Sequence, residues 1–321
     1  MNAIRRILFA VKNPDSRRHA GIDKAVDIAK RLGASLELFH AITTPLYVDL
    51  ESPSGASMEE VRREVLKRRL SQLEAHAARA NTADVRVSCK VLWDYPPHEA
   101  IVRRARRSGA DLIIAECHEG SRLKPWLMHL TDWELLRLSP EPVLLLQNTR
   151  RYRRPAILAA VDPAHLHAKP AQLDAEIVTL GEQFAGSLRG SLHAMHANYP
   201  AFNGALPATT YEQQKRKDSA DFKAFAEKCG ISRARRHEVD GDPVYGIPQI
   251  ARSMHAQIVV MGAVSRSGLK RFFFGNTAER LLHDLPCDAL VVKPPRFKTR
   301  LNQRPRGVRV MAPVPLMPLP V

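Results

Sequence analysis

The chain lacks most of the signatures that announce chemistry. No C-x-x-C pair occurs among the four scattered cysteines, Cys89, Cys117, Cys229 and Cys287, so no zinc ribbon, redox dithiol or disulfide framework is expected. No apolar run approaches the roughly 20 residues that span a bilayer, and Ile7 to Val11 is too short for a secretion-signal core. A cytoplasmic address is the expectation. The G-x-S-x-G elbow, the Walker lysine loop, the H-E-x-x-H helix and the S-G-G-x-D-S loop of adenylating ATP pyrophosphatases are also missing. An enzyme is therefore not expected, slow ATP hydrolysis being the form least at odds with the residues. A helix-turn-helix pattern, an RNA-binding aromatic signature and a zinc finger are absent too, which weighs against nucleic acid as a partner.

What is present suits two domains. The 321 residues divide into units of about 150, and a 45% hydrophobic content lets each bury a core. The formal charge of +16 invites an anionic partner, yet six basic residues and no acidic ones lie from Arg296 onward. Arg103, Arg104, Arg106 and Arg107 accompany Ile101, Val102 and Ala105 on a helical period, where a solvated outer face is expected.

The halves repeat one another. "RRILFAVKNPDS" from Arg5 and "RRPAILAAVDPAH" from Arg153 predict buried first strands, each followed by a helix and a second strand in which His40 matches His196. Long charged helices follow at Met58 to Ala80 and about Thr210 to Lys228, ahead of third strands at Val85 to Trp93 and about Arg235 to Val239. Leu112 then aligns with Ile258, Thr131 with Thr277 and Pro140 with Pro286, and "SPEPVLLLQN" and "LPCDALVVKPP" close the halves. Alternating strands and helices predict α/β architecture: two tandem, doubly wound, parallel sheets of five strands. The expected boundaries are 1–149, 154–297 and a basic, proline-rich, disordered arm over 298–321.

Chemistry in such a sheet sits at the carboxyl ends of the strands. There, "MGAVSRSGLKRFFFGNTAERLL" offers glycines for close ligand approach and amides leading into a helix near Thr277, or merely a turn between strand and helix. Its spacing, Gly262, then Ser265, then Gly275, Asn276 and Thr277, resembles the G-x2-G-x9-G-(S/T) motif of the universal stress proteins, with serine for the second glycine and asparagine for the terminal Ser/Thr. "DGDP" at Asp240 to Pro243 and "DALVVKP" are similar to that family, and "TDWELLRLSPEPV" from Thr131 resembles its tandem E subgroup. The resemblance implies an adenine nucleotide alpha hydrolase-like fold, the halves pairing through edge strands as an intramolecular pseudo-dimer, and a stress-response role in binding or regulation. It implies Asp162 on the adenine side and Gly262, Ser265, Gly275, Asn276 and Thr277 around phosphates and ribose, with ATP or ADP and magnesium as the ligand. In the first half it puts Lys12, Glu116, Glu119, His129 and Leu130 at those places. Two carboxylates there would repel phosphates.

His193 and His196, with His165 and His167, offer imidazoles that a metal could use, as do His40, Cys117 and His118, but residues three apart on a strand face opposite ways. Hydrogen-bonded or exposed histidines, and no metal, are the expectation. An apolar-ligand carrier and a basic nucleic-acid-associated regulator are the alternative functions. Protein partners, and the choice between a monomeric pseudo-dimer and a homodimer, are left open.

Overall fold

Alternate residues of β1 (Arg6–Ala10) are buried on opposite sides: Ile7 and Phe9 join one hydrophobic cluster, Leu8 and Ala10 the other. A strand apolar on both faces needs helices on both. They are present in the computed structural model, which describes residues 3–17, 19–47, 57–80, 84–117, 125–164, 172–199, 208–263 and 276–311, without the side chains of 47, 125–131, 208, 276–279 and 311. After β1 come α1 (Ala20–Leu32), β2 (Ser35–Ile42), the short β3 (Leu46–Tyr47), α2 (Met58–Arg79), β4 (Val87–Trp93), α3 (Pro97–Ser108), β5 (Leu112–Glu116), α4 (Pro125–Leu138) and β6 (Val143–Leu146). The second half repeats the order: β7 (Ala156–Ala160), α5 (Gln172–Leu188), β8 (Ser191–Asn198), α6 (Ala208–Lys228), β9 (Arg236–Asp240), α7 (Pro243–Ser253), β10 (Ile258–Gly262), α8 (Asn276–Asp284) and β11 (Asp288–Val292). A last short strand, β12 (Val310–Met311), follows.

Each half forms five parallel strands, β4-β2-β1-β5-β6 and β11-β10-β7-β8-β9. The two sets meet along β6 and β11, which run antiparallel with Val143 opposite Val291 and Leu144 opposite Leu290. One ten-stranded sheet results, and the halves face each other as a pseudo-dimer within one chain. Buried residues of α1, α2, α5 and α6 pack on one face, those of α3, α4, α7 and α8 on the other. At the seam, Lys24 of α1 and Asp288 of β11 form a fully buried ion pair, which the Tyr152 hydroxyl joins by donating to the same carboxylate. Lys24 also donates to the Asn148 carbonyl at 2.9 Å, and Asp288 accepts the Gln147 amide at 2.7 Å. The charges are thus paired and hydrogen-bonded, as burial demands.

Two expectations are corrected. Arg103 is not on a solvated face: it is 2% exposed, its Nε and Nη2 each 2.8 Å from the Asp94 carboxylate and its Nη1 2.9 Å from Glu99. A planar guanidinium neutralised by two carboxylates can be buried where a lone charge cannot. Arg104 is likewise held by both oxygens of Glu37, while Arg106 and Arg107 are exposed. Nor is the arm disordered over 298–311. It crosses back to the first half, where Arg306 finds Asp94 and Glu99 and β12 pairs in parallel with β3. Residues 312–321 lie outside the described residues.

Candidate functional site

In the second half, β7 ends at Ala160, and Asp162 stands just beyond the carboxyl edge of the sheet. Its backbone amide donates to the Asp174 carboxylate of α5 at 3.0 Å. Both Asp162 carboxylate oxygens are buried with no hydrogen-bond partner among the described residues. The Nδ1 of His196 on β8 lies 4.0 Å from one of them. That nitrogen donates instead to the Val161 carbonyl at 3.3 Å, and the ring stacks on Phe222 of α6. The His196 Nε2 is also buried, with no hydrogen-bond partner among the described residues. Asn198, at the end of the same strand, gives its amide nitrogen to Asp240 at 3.2 Å, and its Oδ1 has no partner among the described residues. Buried acceptors left open in this way mark a place where a donor-rich ligand fits.

Of the other expected residues, Gly262 closes β10. A side chain there would collide with α5, since a Cβ would stand 2.5 Å from Leu173 Cδ2 and 3.3 Å from Ile177 Cδ1. Its glycine therefore has a packing reason of its own. Asn276 and Thr277 open α8, but their side chains, like Ser265 and Gly275, lie outside the described residues.

The first half is built differently at the same place. Lys12 replaces Asp162 and pairs with Asp132 of α4 at 3.4 Å. Glu116 replaces Gly262, and its carboxylate turns back onto the first turn of α1, filling the space beside Gly21, where a Cβ would sit 1.8 Å from Oε1. The halves have exchanged large for small: Gly262 faces Ile177, whereas Glu116 faces Gly21, the counterpart of Ile177 in the register that aligns the two histidines. His40 repeats the role of His196, its Nδ1 donating to the Val11 carbonyl at 2.9 Å, and burial lowers its pKa. Glu119 lies outside the described residues, as do the side chains of His129 and Leu130.

Beside these residues is a cavity of about 330 Å³. Phe39, Ile42, Ile101 and Leu135 supply apolar wall, and Lys12 and Asp132 line it with opposite charges. Nothing in the sequence marked Asp132, because it comes from a helix more than a hundred residues from Lys12. Burial pushes the Cys117 thiol up to about 12, which disfavours the thiolate that a nucleophile needs. His193 and His196 do not converge. His193 Nδ1 instead lies 3.0 Å from His237 Nε2 on β9, while His165, His167 and His118 are outside the described residues. Among the described residues no three imidazoles, thiols or carboxylates gather as metal ligands.

A sequence model of the universal stress protein family matches residues 3–147 and again 157–293. The chain is 29% identical over 305 residues to universal stress protein E of Escherichia coli strain K12, covering 91% of this chain and 95% of that one. Among solved structures it is similar to a functionally unknown protein of Pseudomonas aeruginosa, with a TM-score of 0.68 at 26% identity over 91% of this chain and 93% of that one. A universal stress protein of Archaeoglobus fulgidus shares the fold, with a TM-score of 0.56 at 16% identity, over 89% and 98% of the two chains.

Proposed function

The chain belongs to the universal stress protein family, carrying its domain twice in tandem, and we propose that it is a stress-response ligand-binding protein whose second half takes an adenine nucleotide. The observation that carries this reading is the Asp162 carboxylate, buried with both oxygens unsatisfied among the described residues, beside the equally unpartnered His196 Nε2 and Asn198 Oδ1. An exocyclic amino group and ribose hydroxyls are donors of the kind these acceptors lack. Glycine at 262 in place of the first half's glutamate also keeps a carboxylate away from the phosphate side. Magnesium would accompany the phosphates of ATP or ADP and neutralise part of their charge. Binding without turnover is part of the proposal, supported by the inert Cys117 thiol. A cytoplasmic address is part of it too, supported by four free cysteines.

Calorimetry of the full chain with ATP or ADP and magnesium tests this reading. Binding by the wild type and a loss of about tenfold or more in Asp162→Ala are expected, a charged hydrogen bond being worth roughly 1.5–3 kcal/mol. No heat at millimolar nucleotide would sink it.

One observation favours a second reading for the first half. With Glu116 folded against α1 and Lys12 paired to Asp132, the cavity presents largely apolar walls, which suits an apolar ligand and a carrier role. Native mass spectrometry decides it: a co-purified apolar molecule lost on filling the cavity with Ala115→Phe supports the carrier, and a ligand-free chain speaks against it.

A further inference from the structure

The described part of the arm that follows the second domain lies against the rim of the first-half cavity. Its segment 298–311 holds five basic residues and no acidic ones. Arg306 places Nε 3.1 Å and Nη2 2.7 Å from the two oxygens of Glu99, and its backbone amide 2.9 Å from Asp94. Arg309 lies over the Tyr95 ring at 4.0 Å, and Arg107 of α3 donates to the Gln303 carbonyl at 2.5 Å. Beyond these anchors the arm becomes β12, with Val310 beside Leu46 and Met311 beside Tyr47, and the Leu46 amide donates to the Arg309 carbonyl at 2.8 Å.

Both anchor points flank the cavity. Ile42, Thr43 and Thr44 form one part of its wall and lead directly into β3; Pro97 and Ile101, on either side of Glu99, form another. In the described sheets β3 pairs with β12 alone, so the ladder that steadies the rim comes from the other half of the molecule. The hold is modest. Arg306 is half exposed, Val310 is 52% exposed, and the ladder is two residues long. Exposed ion pairs contribute little and weaken with salt, and elements held by few buried contacts open well before the whole fold does.

We propose that residues 298–311 are a releasable latch, by which the second half holds or frees the rim segment Ile42–Tyr47 of the first-half cavity. The latch regulates access to that cavity and so gives purpose to the carrier reading, but its mechanics stand apart from any ligand.

Hydrogen exchange on the full chain tests it without a ligand. The wild type at about 50 mM and about 0.5 M salt is compared with Arg306→Gln/Arg309→Gln and with a chain ended after Phe297. The expected result is exchange in the 42–47 peptide about tenfold faster in both altered chains and faster in the wild type at high salt, with β10 and β11 unchanged. Unchanged exchange at 42–47 in both altered chains would overturn the proposal, and so would faster exchange spread evenly over β10 and β11. Binding of anilinonaphthalene sulfonate to the same proteins reports separately on the cavity, so a failure of the carrier reading leaves the exchange result to decide the latch.

Discussion

Arg189 and His255 hold left-handed backbone conformations, with φ of 54° and 52°, at the exits of α5 and α7. Their counterparts in the first half are Gly33 and Gly109, both with φ of 64°. A side chain in this region crowds its own carbonyl, whereas glycine adopts it freely. Arg189→Gly and His255→Gly should therefore each stabilise the protein by about 0.5–1 kcal/mol, read from urea denaturation, because relief of strain exceeds the added freedom of the unfolded chain. His19 predicts a pH effect. Burial, seconded by His76, lowers its pKa from the ordinary 6.5 to about 4 and outweighs the opposing charge of Asp23. The folded state thus favours the neutral ring, so its contribution is complete above pH 6.5 and is lost as pH falls from there towards 4. Stability should drop by about 2 kcal/mol between pH 7 and pH 5 from this group, and His19→Gln should flatten that slope in denaturation curves taken across the range.

Among the elements, α1 has a double duty. It covers the first half-sheet with Ile22, Ala25, Ile28 and Ala29, and it carries Lys24 across the seam to Asp288 at the start of β11. Lys24→Met leaves that carboxylate buried with only the Tyr152 hydroxyl and backbone amides for company. A cost of about 3–5 kcal/mol is expected, whereas replacing both members of the pair with apolar residues should recover much of it. Thermal unfolding of Lys24→Met and of Lys24→Met/Asp288→Leu checks both statements. A double variant no better than the single one would mean that the seam depends on the pair for more than neutrality.

At the scale of the molecule, the two halves share one sheet through β6 and β11, a buried ion pair and an arm that returns from the second half to the first. Units coupled through a shared sheet and a buried ion pair unfold together. Calorimetry of the full chain should show one transition with equal calorimetric and van't Hoff enthalpies; two resolved transitions would mean that the seam is weaker than its burial implies. A shared sheet with two unlike sites also sets the form of any communication between them. Under the proposed function, a ligand at Asp162 and one in the first-half cavity would communicate through elements that both halves build, such as the seam and the arm.

Periodicity and duplication settle much of this protein before any coordinate is known. Runs of four to eight apolar residues alternating with helical stretches imply two doubly wound parallel sheets, and the matches of His40 with His196 and Leu112 with Ile258 imply that they are alike. Local pattern placed Asp162 just past a first strand, whereas its role as a ligand contact came only from the family resemblance. Tertiary structure decided what lies opposite each residue. Arg103 sits on a helix face that reads as solvated, and only the approach of Asp94 and Glu99 makes its burial possible. Lys24 meets Asp288, Lys12 meets Asp132, and Glu116 occupies the space that Gly21 leaves. The arm reads as disordered because it has no apolar period, yet its order comes from carboxylates some two hundred positions away. Local patterns encode which way a side chain faces; its partner there is chosen by long-range packing, and so are the charges it neutralises and the site it builds.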